Sequence, residues 1–471
     1  MREVIKKFGA FSLGPLIGAV ISFITVPIIT HFITPDENGR ASMFILAQST
    51  MSTVMYLGMD QAFVREYNAF KKDIGKLMTN AIVIPMTIAV TSGIVIVLLA
   101  RLVSSMLFGN DHEILAVYAL AALLPFMIIE NFSLLSIRMD EKGLLYSAFT
   151  ILLKITILCL TVILFLTYQK SFRSVVYAAA LAEIINGTIL AFVVLLKNNL
   201  TLKNLDSVLI KRMLRFGLPL VPAFAIGWIL TSMDKIMLRT MCTYDELGLY
   251  AAAFKIVSVL SVLQACFSLY WTPVAYRWYE QKKSEDSFTL VGNLVAFAMT
   301  IMCMLLLLFK DVVGIILGAS FRAAITIFPF LLLYPILYTI SETTAVGIGF
   351  KRKTAYNILI SALSGGANIM LNWLLIPDLG GVGAAIATGL SYVVFFWGRT
   401  LVSRYIWYKM PVGLFAVMIV IILANCYVHT FMSGFIPSIV SVITGVILTM
   451  MLIAYLKKND VIRKARRGEL V

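Results

Sequence analysis

Long stretches without a charged residue constrain the fold of this chain more than any other feature. Residues 81–100, with the sequence AIVIPMTIAVTSGIVIVLLA, are apolar on every helical face. A helix needs roughly 20 such residues to cross a bilayer, whereas a transmembrane β-strand alternates apolar and polar residues. Since unpaired backbone amides are strongly disfavoured in hydrocarbon, these runs predict transmembrane α-helices and an all-α fold.

The composition places the whole chain in a membrane. Of its 471 residues, 60% are hydrophobic and 13% are charged, about half the charged fraction of a soluble domain. We predict a polytopic protein with about fourteen spans joined by short connections. The predicted spans are residues 9–32, 41–63, 78–100, 114–136, 145–167, 173–196, 214–238, 249–272, 288–309, 324–347, 355–376, 382–405, 411–431 and 435–456.

The basic residues predict the orientation of these spans. Of 39 lysines and arginines, 29 fall on the side that holds both termini, seven fall on the other side and three lie inside spans. Cytoplasmic loops carry the excess of basic residues, so we expect both termini in the cytoplasm. The basic N-terminus is also typical of a signal peptide, but its apolar run is long and has no small-x-small cleavage site, which predicts a retained first helix.

The net charge of +15 has the same origin, together with contacts to anionic membrane lipids. We expect no nucleic-acid binding, because no soluble domain is available to present a basic face.

Enzymatic motifs are missing from the sequence. The five cysteines form no CxxC pair, the three histidines are isolated, and there is no GxxxxGK[ST] loop. The cluster GGVGAA (380–385) has no preceding strand, so it indicates close helix packing or a bend rather than a dinucleotide site. We therefore expect no metal, no cofactor and no enzymatic activity.

One polar hexapeptide occurs twice, as TPDENG (34–39) and TYDELG (243–248), which predicts an internal repeat. The segments KKFGAFSLGP (6–15) and LRFGLPLVP (214–222) place a Phe-Gly pair 26 or 27 residues before each copy. The acidic residues favour a helix N-terminus, so each copy indicates an outer turn that binds no ligand.

The period of about 209 residues predicts two parallel six-helix lobes, the architecture of an alternating-access carrier. The predicted division is an N-terminal lobe at 1–200, a C-terminal lobe at 201–409, and two extra helices with a basic cytoplasmic tail at 410–471.

The sequence resembles the polysaccharide-biosynthesis branch of the MOP (multidrug/oligosaccharidyl-lipid/polysaccharide) exporters. The resemblance is carried by KKFGAFSLGP (6–15), TPDENG (34–39), GMDQAFVREY (58–67) and NIMLNWLLIPDLGGVGAAIATGLSY (368–392). The resemblance covers the whole chain. It implies a MATE-like Wzx-type flippase of the bacterial inner membrane. The implied substrate is an O-antigen, capsule or exopolysaccharide unit on undecaprenyl pyrophosphate, moved from the cytoplasmic to the periplasmic leaflet. The implied partners are membrane lipids and other polysaccharide-assembly membrane proteins.

Other functions stay open. A lipid II flippase and a cation-coupled drug antiporter belong to the same superfamily, although cationic drugs favour acidic pockets. A membrane-embedded glycan polymerase or glycosyltransferase would need a longer outer loop than this chain has, and a non-catalytic scaffold is a further alternative.

Three lysines lie inside predicted spans, where orientation does not explain them: Lys154, Lys235 and Lys255. An ionisable residue in hydrocarbon is a functional candidate unless it faces a partner, and a pyrophosphate needs cations along its path. We expect these lysines to attract the head group or acidic sugars, with Arg65 and Arg138 at the cytoplasmic entrance.

A structural role is the alternative for each of these cations. Lys154 can pair with Glu183 and Lys235 with Asp234, and long basic side chains near a membrane surface can snorkel into water.

Four carboxylates are available to bind an ion if an H+ or Na+ gradient drives transport: Glu183, Asp234, Glu130 and Asp60. Glu342 and Arg399 also fall near the inner ends of spans, and the sequence assigns them no role.

Four prolines interrupt the first helix of each lobe: Pro15, Pro27, Pro219 and Pro222. Proline removes a backbone hydrogen bond and kinks a helix, and the sequence leaves open whether these are hinges or static kinks.

Overall fold

The computed structural model describes the backbone of residues 2–195 and 200–458 and, within these ranges, all side chains except those of residues 2–12, 195, 202 and 230. The regular structure of this part of the chain is helical throughout. Its α-helices are α1 Arg2–Phe32, α2 Pro35–Tyr56, α3 Met59–Glu66, α4 Ile74–Leu98, α5 Ala100–Phe108, α6 Ile114–Met139, α7 Gly143–Thr167, α8 Phe172–Leu190, α9 Ser207–Gly217, α10 Val221–Met241, α11 Tyr244–Glu280, α12 Glu285–Leu308, α13 Lys310–Leu317, α14 Ala324–Leu331, α15 Leu333–Thr344, α16 Val346–Phe350, α17 Ala355–Ile406, α18 Gly413–Phe431 and α19 Ile436–Lys458.

Within the described residues all fourteen predicted spans fall on helices, so the all-α membrane fold is confirmed, but the count of fourteen is approximate; residue 196 of the sixth span and the predicted basic tail after residue 458 lie outside the described residues. Eleven helices in the described ranges are long and apolar enough to cross a membrane, and a bent pair, Ser207–Ile229 with Thr231–Met241, makes twelve. The helix α17 counts once although it contains two helices that meet at Gly380, where φ is 54°. The helix α2 is not among the eleven because the polar run QSTMST (48–53) lies within it.

The predicted second span is interrupted rather than continuous. The helices α2 and α3 are separated by Leu57 and Gly58, which both have left-handed backbone conformations, with φ of 46° and 71°. A Cβ atom on Gly58 would lie 2.4 Å from the carbonyl oxygen of Gly217, a distance that real contacts do not allow. The break in α2–α3 and the glycine of the second Phe-Gly pair therefore permit a direct backbone contact between α3 and α9.

The chain forms two compact units, Met1–Lys235 and Ile236–Val471. The first unit includes α9, which the repeat assigns to the second lobe, because α9 packs on α3 and α4. An ion pair of 2.8 Å between Arg212 and Glu66 reinforces this packing. The lobe division at residue 200 stays a prediction.

In the first unit, α6 packs against α4 and α8, and α1 packs against α7. Phe63 and Phe132 meet edge to face in the core, with ring centroids 5.8 Å apart. The α1–α7 contact depends on a small residue, because the amide of Gly14 donates to the Ser147 hydroxyl at 2.9 Å and a Cβ at Gly14 would lie 2.7 Å from the Ser147 Cα. Such close approach by small residues is typical of membrane helix pairs.

In the second unit, α15 packs against α12 and α17, and α14 packs against α11 and α18. A cluster of buried aromatic residues joins α11, α12 and α16 at one end of this unit, with partly buried Trp407 packed against it. The buried members are Trp271, Trp278, Phe288 and Phe350.

The two hexapeptides have the same local structure. Thr34 and Thr243 are the N-cap residues of α2 and α11, with φ/ψ of −81°/165° and −83°/166°. Each threonine Oγ1 accepts from the amide three residues on, Glu37 or Glu246, at 3.4 Å. The predicted helix-starting turn is therefore present in both copies.

Each hexapeptide also binds a second helix, which the sequence does not indicate. A Glu37 carboxylate oxygen accepts from the amide of Phe172, the first residue of α8. A Glu246 oxygen accepts from the amide of Gly381, directly after the break in α17, at 2.7 Å. Since the acceptor precedes the donor by 135 residues in both cases, the two units repeat this contact.

We predict that Glu246→Ala lowers the free energy of unfolding by about 1 kcal/mol, the typical loss of a helix cap, because it leaves the Gly381 amide without its acceptor. Glu246→Gln retains a side-chain oxygen and should lose less. Thermal unfolding of the purified protein in detergent measures both changes, with Asp245→Ala as the matched control on an exposed neighbour. Equal destabilisation by Asp245→Ala and Glu246→Ala would contradict the contact.

Candidate functional site

Two glutamates meet inside the first unit. Glu130 lies on α6 and Glu183 on α8, and they are 7% and 8% exposed. Their carboxyl groups are within hydrogen-bonding reach of each other. The helices approach closely here because α8 has Gly187, whose Cβ position would lie 2.9 Å from the Cβ of Phe126 on α6.

Lys154 on α7 supplies the positive charge of this cluster, since it interacts electrostatically with both Glu130 and Glu183. Its stem lies against α1, where a Cβ at Gly18 would be 3.6 Å from the Lys154 Cγ. The structure thus brings together one of the three predicted lysines and two of the predicted ion-coupling carboxylates.

Three uncharged residues complete the cluster, and the sequence analysis missed them. Gln48 of α2 donates to Glu183 at 3.5 Å, a long hydrogen bond. The Tyr56 side chain lies within electrostatic reach of both glutamates, and Asn186 lies beside Glu130. A spacing of three residues between Glu183 and Asn186 puts them on one helix face, and this was the available sequence signal.

The chemistry of this cluster is that of a carboxyl pair beside an ammonium group. An ionised carboxylate can only accept hydrogen bonds, so two carboxyl groups in mutual contact need a shared proton or a cation between them. Within the described residues, no group of three or more His, Cys, Asp or Glu side chains has the arrangement of a metal site. A pair of carboxyl groups of this kind can hold one exchangeable proton or a monovalent cation.

Asp60 borders this cluster. It lies in the first turn of α3, where its Oδ2 accepts from the Gln61 amide side chain at 2.7 Å, and it interacts electrostatically with Tyr56. The predicted carboxylate Asp234 lies instead on α10. It is 2% exposed and interacts with the neighbouring Lys235, the structural pair that the sequence left open.

The remaining predicted cations lie elsewhere. Lys255 is half-buried on α11 of the second unit. Arg138 is exposed in the last turn of α6. Arg65 is exposed on α3, and its guanidinium stacks over the ring of Phe216 at 4.4 Å, which holds the charge in a defined place next to the second Phe-Gly pair.

The four prolines have different surroundings. Pro15 and Pro27 lie inside the continuous helix α1. Pro219 lies in a 3₁₀ turn, Leu218–Leu220, and Pro222 is the second residue of α10. The two proline pairs therefore occupy similar positions in the repeat, but the first pair lies within one unbroken helix and the second lies where two helices meet.

The second unit contains an ion pair to which the sequence assigned no role. Arg399 of α17 donates to Glu342 of α15 at 2.8 Å, and the two side chains are 15% and 14% exposed. The Arg399 guanidinium also lies 5.6 Å and 5.3 Å from the ring centroids of Tyr338 and Phe395. More aromatic rings lie in the same unit. The ring of Phe254, the residue before Lys255, stacks with the rings of both Tyr250 and Tyr334.

Comparison with known proteins identifies the family of the chain. A family model described as polysaccharide biosynthesis protein matches residues 4–277, more than half of the chain. The chain belongs to this family. A curated relative, the probable low-salt glycan biosynthesis flippase Agl15 of Haloferax volcanii, is 22% identical over 172 residues, which are 36% of this chain and 36% of the relative. The match thus spans about a third of that protein's length.

Solved structures with the same fold include two transporters. The lipid II flippase MurJ in an inward closed conformation has a TM-score of 0.74 at 13% identity, covering 96% of this chain and 99% of that chain. An inward-facing multidrug resistance MATE transporter of the MOP superfamily has a TM-score of 0.60 at 15% identity, covering 82% and 94%. At these identities the likeness shows the fold alone, and it confirms the predicted MATE-like fold of a multi-pass membrane protein.

We predict that Lys154→Met destabilises the protein, because two buried carboxyl groups lose their cation, and that Glu183→Gln in the same chain restores part of the loss. The expected coupling between the two changes is roughly 0.5–3 kcal/mol, as for residues that share one network of charges. Thermal unfolding of the wild type, both single variants and the double variant gives this coupling.

The matched control is Lys72→Met, which removes a lysine from an exposed loop position. Strict additivity of Lys154→Met and Glu183→Gln would show that the two groups do not interact.

Proposed function

We propose that the protein is a flippase that moves an undecaprenyl-pyrophosphate-linked oligosaccharide, such as an O-antigen, capsule or exopolysaccharide unit, from the cytoplasmic to the outer leaflet. Membership of the polysaccharide biosynthesis family supports a lipid-linked glycan as the substrate class. The fold supports transport, since MurJ and MATE proteins share it. The relative Agl15 is itself named a probable glycan flippase.

The observation that carries the mechanism is the electrostatic interaction of Lys154 with two buried carboxyl groups. A substrate phosphate competes with Glu130 and Glu183 for the Lys154 ammonium. When the phosphate takes this charge, the carboxyl pair is left without its cation and binds a proton more tightly. Because linkage is reciprocal, proton binding also strengthens phosphate binding, which couples transport to a proton gradient; a Na+ ion would serve the same pair.

The other predicted residues extend this mechanism. Lys235 and Lys255 are proposed as further phosphate or acidic-sugar contacts, and Arg65 and Arg138 as cytoplasmic entrance cations. Asp60 and Asp234 are proposed as additional ion-coupling carboxylates.

Alternating access is proposed to involve the lobes at 1–200 and 201–409, with 410–471 as an added element. The four predicted prolines, Pro15, Pro27, Pro219 and Pro222, are proposed to provide the bending points.

The proposed location is the bacterial inner membrane, with both termini in the cytoplasm and with other polysaccharide-assembly membrane proteins as partners. A lipid II flippase or a cation-coupled drug antiporter is the alternative function within the superfamily. A glycan polymerase is disfavoured, because the known proteins to which the chain is similar are flippases and transporters rather than enzymes, in agreement with the prediction from the missing motifs.

We predict that proteoliposomes containing the purified chain flip a fluorescent undecaprenyl-pyrophosphate oligosaccharide, measured as loss of protection from a membrane-impermeant quencher. Lys154→Met should slow flipping about tenfold, equivalent to about 1.4 kcal/mol, because one phosphate contact is lost. Lys235→Met and Lys255→Met should show comparable losses, while Lys353→Met, at an exposed loop position of the second unit, should transport as the wild type does.

Fluorescent lipid II and a cationic dye measured in parallel decide between the alternatives. Flipping of lipid II but not of the oligosaccharide would replace the proposed substrate, and efflux of the dye alone would show a drug antiporter. Wild-type rates in all three lysine variants would remove the site assignment while leaving the flippase function intact.

A further inference from the structure

An apolar groove of about 430 Å³ follows one face of α4 in the first unit. Ile82, Met86 and Val90 line it along the helix, and Leu200 closes one end. Its volume falls within the range of about 300–1,000 Å³ that is typical of ligand sites. The groove is separate from the carboxyl cluster, whose residues do not line it.

The threonine hydroxyl groups of α4 add little polar surface to this groove. Thr79 donates to Gly75 O at 2.9 Å, Thr87 to Val83 O at 2.7 Å and Thr91 to Thr87 O at 2.8 Å. Because each hydroxyl hydrogen is used within the helix, the methyl groups remain for contact. The groove therefore fits a branched hydrocarbon chain better than a sugar.

The end of the groove at Leu200 is fixed to α4 by polar contacts. The Asn80 side chain donates to Asn204 O at 2.9 Å and accepts from the Asp206 amide at 2.7 Å. Lys76 pairs with Asp206 at 2.9 Å, and the Lys76 ammonium beside Asp206 holds the pKa of that carboxyl below its usual range. The segment that follows Leu200 thus has a defined position on the helix.

Positive charge is in excess near this end. Lys71 and Lys72 precede α4, Lys203 lies two residues after Thr201, and all three side chains are exposed. The acidic neighbours are already engaged, since Asp73 accepts from the Lys76 amide at 3.0 Å and Asp206 binds Lys76. Exposed cations beside an apolar groove are complementary to a lipid with an anionic phosphate head and a long chain.

We propose that the α4 groove binds the isoprenoid chain of the carrier lipid while Lys72 and Lys203 contact its diphosphate. This inference rests on the proposed flippase function and adds to it a docking site on the outer surface of the first unit, before the substrate reaches Lys154. The occupant is the polyprenyl diphosphate rather than a bulk phospholipid, because a diphosphate carries more negative charge to match the local excess of lysine.

Photo-crosslinking of the full-length protein in proteoliposomes tests the proposal. The probe is undecaprenyl diphosphate with a diazirine in its chain, and mass spectrometry of peptides locates the adducts. Adducts are expected on residues 79–91, and unlabelled undecaprenyl diphosphate should reduce them at least tenfold more effectively than phosphatidylglycerol.

Two variants on the same helix make the test specific. Thr87→Trp fills the groove and should reduce adducts in 79–91 at least fivefold. Val95→Trp is the matched control, because Val95 is 52% exposed on α4 but does not line the groove, and it should label as the wild type does. Lys203→Glu should weaken labelling by the diphosphate probe but not by a diazirine-bearing polyprenol without phosphate.

Adducts elsewhere in the chain, or equal competition by phosphatidylglycerol, would overturn the proposal; the second result would identify a phospholipid site. Since the wild type itself is labelled, neither outcome depends on the folding of a variant. Flipping without groove adducts would remove this inference alone. Groove adducts in a protein that flips no oligosaccharide would instead remove the proposed function and leave the lipid site.

Discussion

Every backbone amide of this chain that enters hydrocarbon needs an acceptor, and helix N-termini are where acceptors run out. The chain meets this need at two equivalent places with a glutamate from another helix. Ser171 precedes α8 but makes no side-chain cap, so Glu37 supplies the acceptor for Phe172. Glu246 does the same for Gly381. In each repeat this contact joins the helix of the second predicted span to that of the sixth: α2 to α8, and α11 to the part of α17 that follows Gly380.

The two units share this frame but not their interior chemistry. The residue 209 positions after Glu183 is Tyr392, the same interval that separates Phe172 from Gly381. Where the first unit has a carboxyl pair beside Lys154, the second has the aromatic surface that ends at Arg399. The two units therefore share the contact of a glutamate with a helix amide, while the side chains in their interiors differ.

Much of the fold could be predicted from the sequence, because hydropathy and charge asymmetry act along the chain and need no tertiary information. The helix positions followed from them. The count of fourteen did not, since α2 contains a polar run and α17 counts as one helix, although the two spans predicted at 355–376 and 382–405 do meet at a break at Gly380. A Cβ at Gly380 would lie 2.6 Å from the Glu246 carboxylate oxygen, so tertiary contact and local backbone define this bend together.

The site was predictable only in its charged members. Depth in the membrane selected Lys154 and Glu183, which do interact, but depth gives no helix rotation, so the contact of Glu130 with Glu183 could not be foreseen. Gln48 and Tyr56 carry no charge and gave no signal, and the one signal for Asn186 was its three-residue spacing from Glu183. Arg65 stacks on Phe216, which is 151 positions away in the sequence. The repeat could not predict this contact, because it does not show which residues lie close together in space.

The contact between Gly58 and Gly217 has a consequence for how this protein tolerates change. Backbone meets backbone there with no room for a methyl group, and the Arg212–Glu66 ion pair joins the same two helices. The smallest possible side chain at either position would act as a wedge that separates α9 from α3 without altering charge or hydropathy. Alanine at Gly58 or Gly217 would therefore separate α3 from α9.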